Sequence, residues 1–202
     1  MTSTEEMERK LSAAFQMPLP QTMVSRKSSI TNAFVNAVIP AIIPTSDEIE
    51  QALTILGMSH GDVRCAYCGD KSTEWDHLRP LVLNRRPTGY ITEIANLVPA
   101  CGKCNQSKGN KPWREWMVSK AKLSPTGRSL AGIEERLARL EKFEQWKAPT
   151  KVDFGSIVGS AEWEQYWSLC EGVNEEMRLA QEVADALRVR IVEAIRNPPS
   201  RA

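Results

Sequence analysis

Apolar positions in this chain recur every three or four residues towards both ends and lose that rhythm in the middle. Met7, Leu11 and Phe15 lie four apart and predict a helix that Pro18 and Pro20 end. Ile30, Phe34 and Val38 repeat the pattern as far as Pro40. Thr45-Ser-Asp-Glu48 is a capping-box sequence; Ile49, Leu53 and Leu56 follow on one face of a predicted helix that closes near Gly57. Towards the C-terminus, Ile133, Leu137 and Leu140 mark a further helix, Gly155 and Gly159 frame a loop, and Ser160 is a suitable N-cap. From Trp163 through Tyr166, Cys170, Val173, Met177, Ala180, Ala184, Leu187 and Ile191 to Ala194 the spacing alternates three and four. That is a heptad seam, weakened at Gly172 and stopped by Pro198 and Pro199.

Residues 61–118 are different. They are rich in Cys, Gly, Pro, Asn and Trp and hold no long helical stripe before Cys101. Short β segments are predicted at Thr73–Leu78 and Ile94–Ala100, linked through a turn region at Asn84–Gly89, with a helix after Cys101 reaching towards Ala121. The expected class is α+β: a mostly helical chain with a central small β-containing module. Its segments are an N-terminal helical part (1–60), the central module (61–118) and a C-terminal helical region (119–202).

Composition adds little by itself: 202 residues, 42% hydrophobic and 25% charged, with a net charge of +1. No apolar run approaches the ~18 residues of a membrane span. The polar, acidic start MTSTEEMERKL does not read as a signal peptide, so a cytoplasmic location is expected, with no membrane partner. Charge distribution says more. Between Leu78 and Arg128 stand ten basic residues against two acids, Glu93 and Glu115, the asymmetry of a polyanion-binding face.

Five cysteines change the picture again. Cys65-Ala-Tyr-Cys68 and Cys101-Gly-Lys-Cys104 are two Cys-x-x-Cys knuckles with 32 residues between them. Two knuckles complete a tetrahedron of thiolates around zinc, and four protein sulfurs leave no open position for water, so this zinc is expected to be structural. Gly69 and Gly102 suit the tight backbone of such turns. Cys170, on the seam, reads as core, as do Trp113 and Trp116 against the zinc module. His60, in Ser-His-Gly, reads as a loop residue.

Between the knuckles lies Trp75-Asp76-His77-Leu78-Arg79-Pro80; later come Asn96-Leu-Val-Pro-Ala-Cys101 and Asn105-Gln-Ser-Lys108-Gly109-Asn110-Lys111. Over roughly Val63 to Met117 this pattern resembles the HNH endonucleases, whose site is a β-β-α-metal fold. It looks closest to the branch with a four-cysteine zinc and an Asn as third signature residue, as in phage junction-resolving endonucleases and several restriction enzymes. The resemblance implies that Asp76 and Asn105 hold a catalytic divalent cation such as magnesium, a hard ion that prefers oxygen ligands. It implies that His77 is the general base, with an ordinary pKa near ~6.5 suited to neutral pH. Asn96 then braces the loop and the His77 orientation. On a strand, His77 is expected to point opposite to Asp76. Arg79, Lys108 and Lys111 are candidate phosphate contacts. Asn105 also reads as a simple helix cap.

The function implied is hydrolysis of DNA phosphodiester bonds, most simply by a restriction-type enzyme. Junction-resolving, homing and nonspecific nucleases are close alternatives. A zinc-stabilised DNA-binding module without cleavage and a component targeted by a partner are the others. A single such site cuts one strand, so double-strand cutting implies a dimer or two binding events; the heptad seam offers a surface for a homodimer or for packing within the monomer.

Overall fold

The computed structural model describes residues 5–7, 14 and 21–197. The stripe through Leu11 and Phe15 and the stop at Pro198 and Pro199 lie outside the described residues. The chain divides into two compact units, one of residues 29–170 and one of residues 1–28 with 171–202.

In the larger unit the N-terminal elements are α1 (Lys27–Val38, whose first two residues belong to the other unit) and α2 (Ser46–Ile55). The capping box of α2 forms as the sequence predicts: Thr45 accepts from the Glu48 amide while the Glu48 carboxylate accepts from the Thr45 amide. On α1 the buried residues are Thr31 and Val35, one position round from the Ile30–Phe34–Val38 line.

The central module follows. Strand β1 (Glu74–His77) pairs antiparallel with β4 (Leu97–Ala100), with Asp76 opposite Val98 and His77 opposite Leu97. Between them, β2 (Val82–Leu83) and β3 (Arg86–Pro87) form a small hairpin. Its turn places both Asn84 (φ 51°) and Arg85 (φ 66°) in the left-handed region, the geometry of a two-residue hairpin loop matched to strand twist. The helix after Cys101 is shorter than expected. α3 runs Gly102–Lys108 and stops at Gly109, whose φ of 51° breaks the ladder. Pro112 then restarts the chain as α4 (Trp113–Val118).

α5 (Ile133–Trp146) buries Leu137, Leu140 and Phe143. The stretch expected as a loop between Gly155 and Gly159 is instead a short helix, α6 (Phe154–Val158), capped by the Asp153 side chain on the Ser156 amide. α7 (Ser160–Arg196) is continuous through Gly172. Its covered positions follow the expected seam only in part: of the seam, Cys170 is buried and Trp163, Tyr166, Met177 and Ala184 are half-buried, whereas Val173, Ala180, Leu187, Ile191 and Ala194 are exposed and Trp167 and Gln181 are buried beside it. Asn174 and Gln181 are polar, so an apolar-only periodicity search passes over them.

Two apolar clusters hold the larger unit. One contains all four knuckle cysteines with Leu56, Tyr67, Val98, Trp116 and Phe143. The other joins Val35 and Ile39 of α1 to Leu81, Val82, Ile91, Trp167 and Cys170. Cys170, Trp113 and Trp116 are therefore core residues, as expected from sequence. In the terminal unit, a 3-10 turn at Met23–Arg26 is capped by Thr22, and the Met23 amide donates to the buried Gln181 side chain at 2.7 Å.

Candidate active site and metal centres

The knuckles fold back so that Sγ atoms of Cys65, Cys68, Cys101 and Cys104 all lie within 4.8 Å of one another, every cysteine buried. Zn–S bonds of ~2.3 Å imply tetrahedral edges of roughly 3.8 Å, and Cys68 and Cys101 already stand at 3.6 Å. The set therefore fits zinc. None is in a disulfide, and hydrogen bonds from Cys104 and Cys68 pull the Cys65 thiol below its ordinary value, towards the thiolate that a metal ligand must be. Gly69 is needed for its left-handed turn (φ 79°). Gly102 serves differently: a Cβ there would meet Glu74 Oε1 at 2.9 Å.

Asp76 is buried, and its Oδ2 accepts the Tyr67 phenol at 2.5 Å. Tyr67 sits between the first two cysteines, is itself buried, and stays protonated because burial and then Asp76 push its pKa well up. The Lys108 ammonium, with its side chain wholly buried, lies 3.1 Å from the same Asp76 oxygen and 2.9 Å from the His77 carbonyl. Burial raises the Asp76 pKa although Lys108 opposes the shift, and burial lowers that of Lys108.

His77 Nε2 lies 2.9 Å from Thr92 Oγ1. With Nε2 protonated and donating to Thr92, the Nδ1 lone pair is the one free to take a proton. Burial, then the Lys108 charge, lowers the His77 pKa to about 4. The unfolded imidazole binds protons at a higher pH than the folded one, so this group costs stability as pH falls from about 6.5 to about 4. The neutral ring, by contrast, survives to acid pH. Any activity that uses it as a base is expected to hold through pH 6 and decline only towards pH 4; a half-maximum at pH 6.5 in a pH–rate profile would contradict this environment.

Asn105 does not cap α3; Cys101 holds that position. The Asn105 Nδ2 donates to Glu74 Oε2 at 2.6 Å. An ionised carboxylate only accepts, so this contact fixes the amide's orientation and turns its oxygen away from Glu74. Asn96, fully buried, clamps the backbone of Arg79: its Oδ1 accepts the amide at 2.8 Å and its Nδ2 donates to the carbonyl at 3.0 Å.

Asp76, His77 and Asn105 border one cleft of about 410 Å³. His77 is the last residue of β1, next to the buried Asp76, and both residues border the cleft at the strand's end. A carboxylate and an amide oxygen make a hard-cation donor set. His60 is exposed in a turn outside the cleft.

The three expected phosphate contacts are placed otherwise, each because an internal partner takes its charge or donors. Arg79 pairs with Glu144 at 2.8 Å and lies over the Tyr90 ring. Lys108 is committed to Asp76, and Lys111 donates to the Ser107 and Lys108 carbonyls at the end of α3. None of the three borders the cleft. Of the ten basic residues in this stretch, Arg79, Arg86, Lys108, Arg114 and Arg128 are ion-paired, which narrows the expected polyanion face.

Sequence reasoning missed Glu74, Tyr67 and Thr92. Glu74 had a signal, since it stands two residues before Asp76 on the same strand face. Thr92 had none. Lys108→Met is expected to strand the Asp76 carboxylate and cost roughly 3–5 kcal/mol, as breaking one half of a buried pair does. Urea melts with and without magnesium check it. Part of the loss should return with the cation, and unchanged stability would mean that the pair is not buried as described.

A β-β-α unit built on a four-thiol cluster, with an Asp-His pair and an Asn bordering its cleft, defines a β-β-α-metal module. Residues 65–111 match the model of the HNH endonuclease family, and this segment is an HNH domain. The chain is also similar to the CRISPR-associated endonuclease Cas9 of Corynebacterium diphtheriae, 44% identical over 91 residues, which cover 43% of this chain and 7% of that protein. The chain thus spans a small fraction of that relative's length. No solved structure matches. Among the described residues, no helix is long and apolar enough to cross a membrane.

Proposed function

We propose that this protein is a metal-dependent DNA endonuclease that hydrolyses phosphodiester bonds at the cleft of its HNH domain. The observation that carries the reading is the convergence of Asp76, His77 and Asn105 on one cleft within the matched segment. Asp76 and Asn105 would hold a divalent cation such as magnesium, which when bound supplies charge at the scissile phosphate and the leaving oxygen. His77 Nδ1 takes the proton of the attacking water as the new P–O bond forms and the bond to the leaving oxygen breaks. Thr92 orients the ring, Asn96 holds the chain that follows it, and Glu74 orients the Asn105 amide. The cysteine cluster holds a structural zinc.

Restriction-type cutting of a specific duplex is the first form of this reading. The second, favoured by the likeness to a CRISPR-associated endonuclease, is an HNH enzyme directed to its substrate by a partner. Incubating purified protein with plasmid, in magnesium and in EDTA, tests both. Nicking or linearisation in magnesium alone supports the nuclease; defined ends support the first form, and random cutting without a partner supports the second. Binding with no cleavage in any divalent metal would leave a DNA-binding module and sink the enzyme.

For double-strand cutting we infer a homodimer. The exposed apolar line Val173, Val183, Leu187 and Ile191 of α7 supports it. Leu187→Asp with Ile191→Asp is then expected to yield a soluble monomer that nicks one strand. Light scattering that finds wild-type monomer during double-strand cleavage would overturn the dimer.

A further inference from the structure

Helix α1 lies outside the segment that matches the HNH family, yet it borders the catalytic cleft. Asn32 and Asn36 contribute to the same cleft as Asp76, His77 and Asn105. They stand four apart, on one face of the helix. Packing decides where that face points. Val35 and Ile39 are buried against Leu81, Val82 and Ile91, and from Val35 the Asn32 position lies about 60° and the Asn36 position about 100° round the helix. The exit of α1 is tied to the base as well: the Thr92 amide donates to the Pro40 carbonyl at 3.2 Å and the Ile42 amide to the Thr92 carbonyl at 2.8 Å. Thr92 is the residue that holds His77. The helix is therefore registered to the imidazole through one shared residue.

The two asparagines do nothing for α1 itself. Both are exposed, and among the described residues neither side chain makes a hydrogen bond. Asn is a weak helix former, because its amide competes for backbone partners. Their chemistry suits the cleft they face. Gln106 and Asn110 border it too, so carboxamides surround the catalytic Asp-His pair, and no lysine or arginine is among the bordering residues. A carboxamide offers both a donor for a phosphate or sugar oxygen and a donor–acceptor pair for a base edge.

We propose that α1 is the second wall of the substrate cleft and that the Asn32 and Asn36 carboxamides hydrogen-bond the nucleic-acid strand beside the scissile phosphate. This rests on the nuclease reading above. Contacts through neutral amides release no counterions, so they add affinity without adding to its salt dependence.

The test is equilibrium binding of a labelled duplex oligonucleotide at several salt concentrations, in a His77→Ala background, with and without Asn32→Ala/Asn36→Ala. Steady-state cleavage by the otherwise wild-type pair accompanies it. Each lost hydrogen bond is expected to weaken binding about 3- to 10-fold. The double variant should therefore raise Kd and KM by about 10- to 100-fold, with kcat and the salt slope nearly unchanged. Asn36→Asp should be worse than Asn36→Ala, because it sets a carboxylate against phosphates. Zinc content and melting temperature should not move. Wild-type Kd and KM in both variants, with the wild type cutting normally, would overturn the inference and leave the nuclease reading standing. So would a fall in kcat and melting temperature together at constant Kd, which marks a structural role. A wild type that neither binds nor cuts any nucleic acid would defeat the nuclease reading and this inference with it.

Discussion

Cys101→Ser is expected to abolish zinc binding and unfold the HNH domain. The cysteines are not at the surface of a pre-formed core; they belong to the apolar cluster that includes Tyr67, Val98, Trp116 and Phe143. The two strands of the module's main pair are four residues each, too little to stand alone. Apparent zinc-binding free energies of ~10–16 kcal/mol in small zinc modules match or exceed the ~5–15 kcal/mol that holds a whole domain together. Losing one thiolate therefore weakens a contribution as large as the domain's whole stability. Elemental analysis, near-UV circular dichroism and a thermal melt check the result, with a chelator as the second route to the same state. Cys170→Ser, in the other apolar cluster, should keep full zinc. A wild type purified without zinc that still melts cooperatively would remove the metal from the account.

The second large effect is expected at His77. His77→Ala should lower cleavage by roughly 100- to 10,000-fold, the contribution of a positioned general base. Zinc content and DNA binding should remain, because the imidazole contacts Thr92 and the cleft rather than the cysteine cluster. Single-turnover cleavage and gel-shift binding measure the two separately; turnover near that of the wild type would remove His77 from the base role. Asp76 needs a gentler substitution. Truncating it to Ala strands the buried Lys108 ammonium and the Tyr67 phenol, so loss of fold would be mixed with loss of cation binding. Asp76→Asn keeps the size and one acceptor oxygen, and is the variant expected to lose magnesium-dependent activity while retaining zinc.

Much of this was legible because local spacing carries it. Two Cys-x-x-Cys pairs place thiolates at fixed reach of one ion whatever the surrounding fold. Thr45 and Glu48 cap α2 through their own backbone neighbours, so four residues suffice to read the helix start. The Asp-His dipeptide and Asn105 could be singled out by type and spacing. Other features were not local. The apolar heptad line of α7 was legible, but the covered positions of the helix also include Asn174 and Gln181, and Gln181 finds a backbone partner 158 residues away at Met23. Periodicity weighs side chains by polarity, whereas burial of a carboxamide depends on whether a distant partner satisfies it.

The sequence by itself determined the four-cysteine cluster, the mixed α and β class and the candidates Asp76, His77 and Asn105, because each is read from short-range spacing and residue type. Only the tertiary structure decided what the charges do. Lys108 and Arg79 look alike in the sequence as cations beside a phosphate site, but Asp76 lies 32 residues from Lys108 and Glu144 lies 65 from Arg79 in the chain. A lysine whose ammonium is withdrawn from water must neutralise a buried carboxylate, and an arginine facing a glutamate on α5 is turned away from the cleft. Thr92 on His77, Glu74 on Asn105 and α1 along the cleft follow the same rule: each is a contact made across the fold, and no spacing along the chain encodes it.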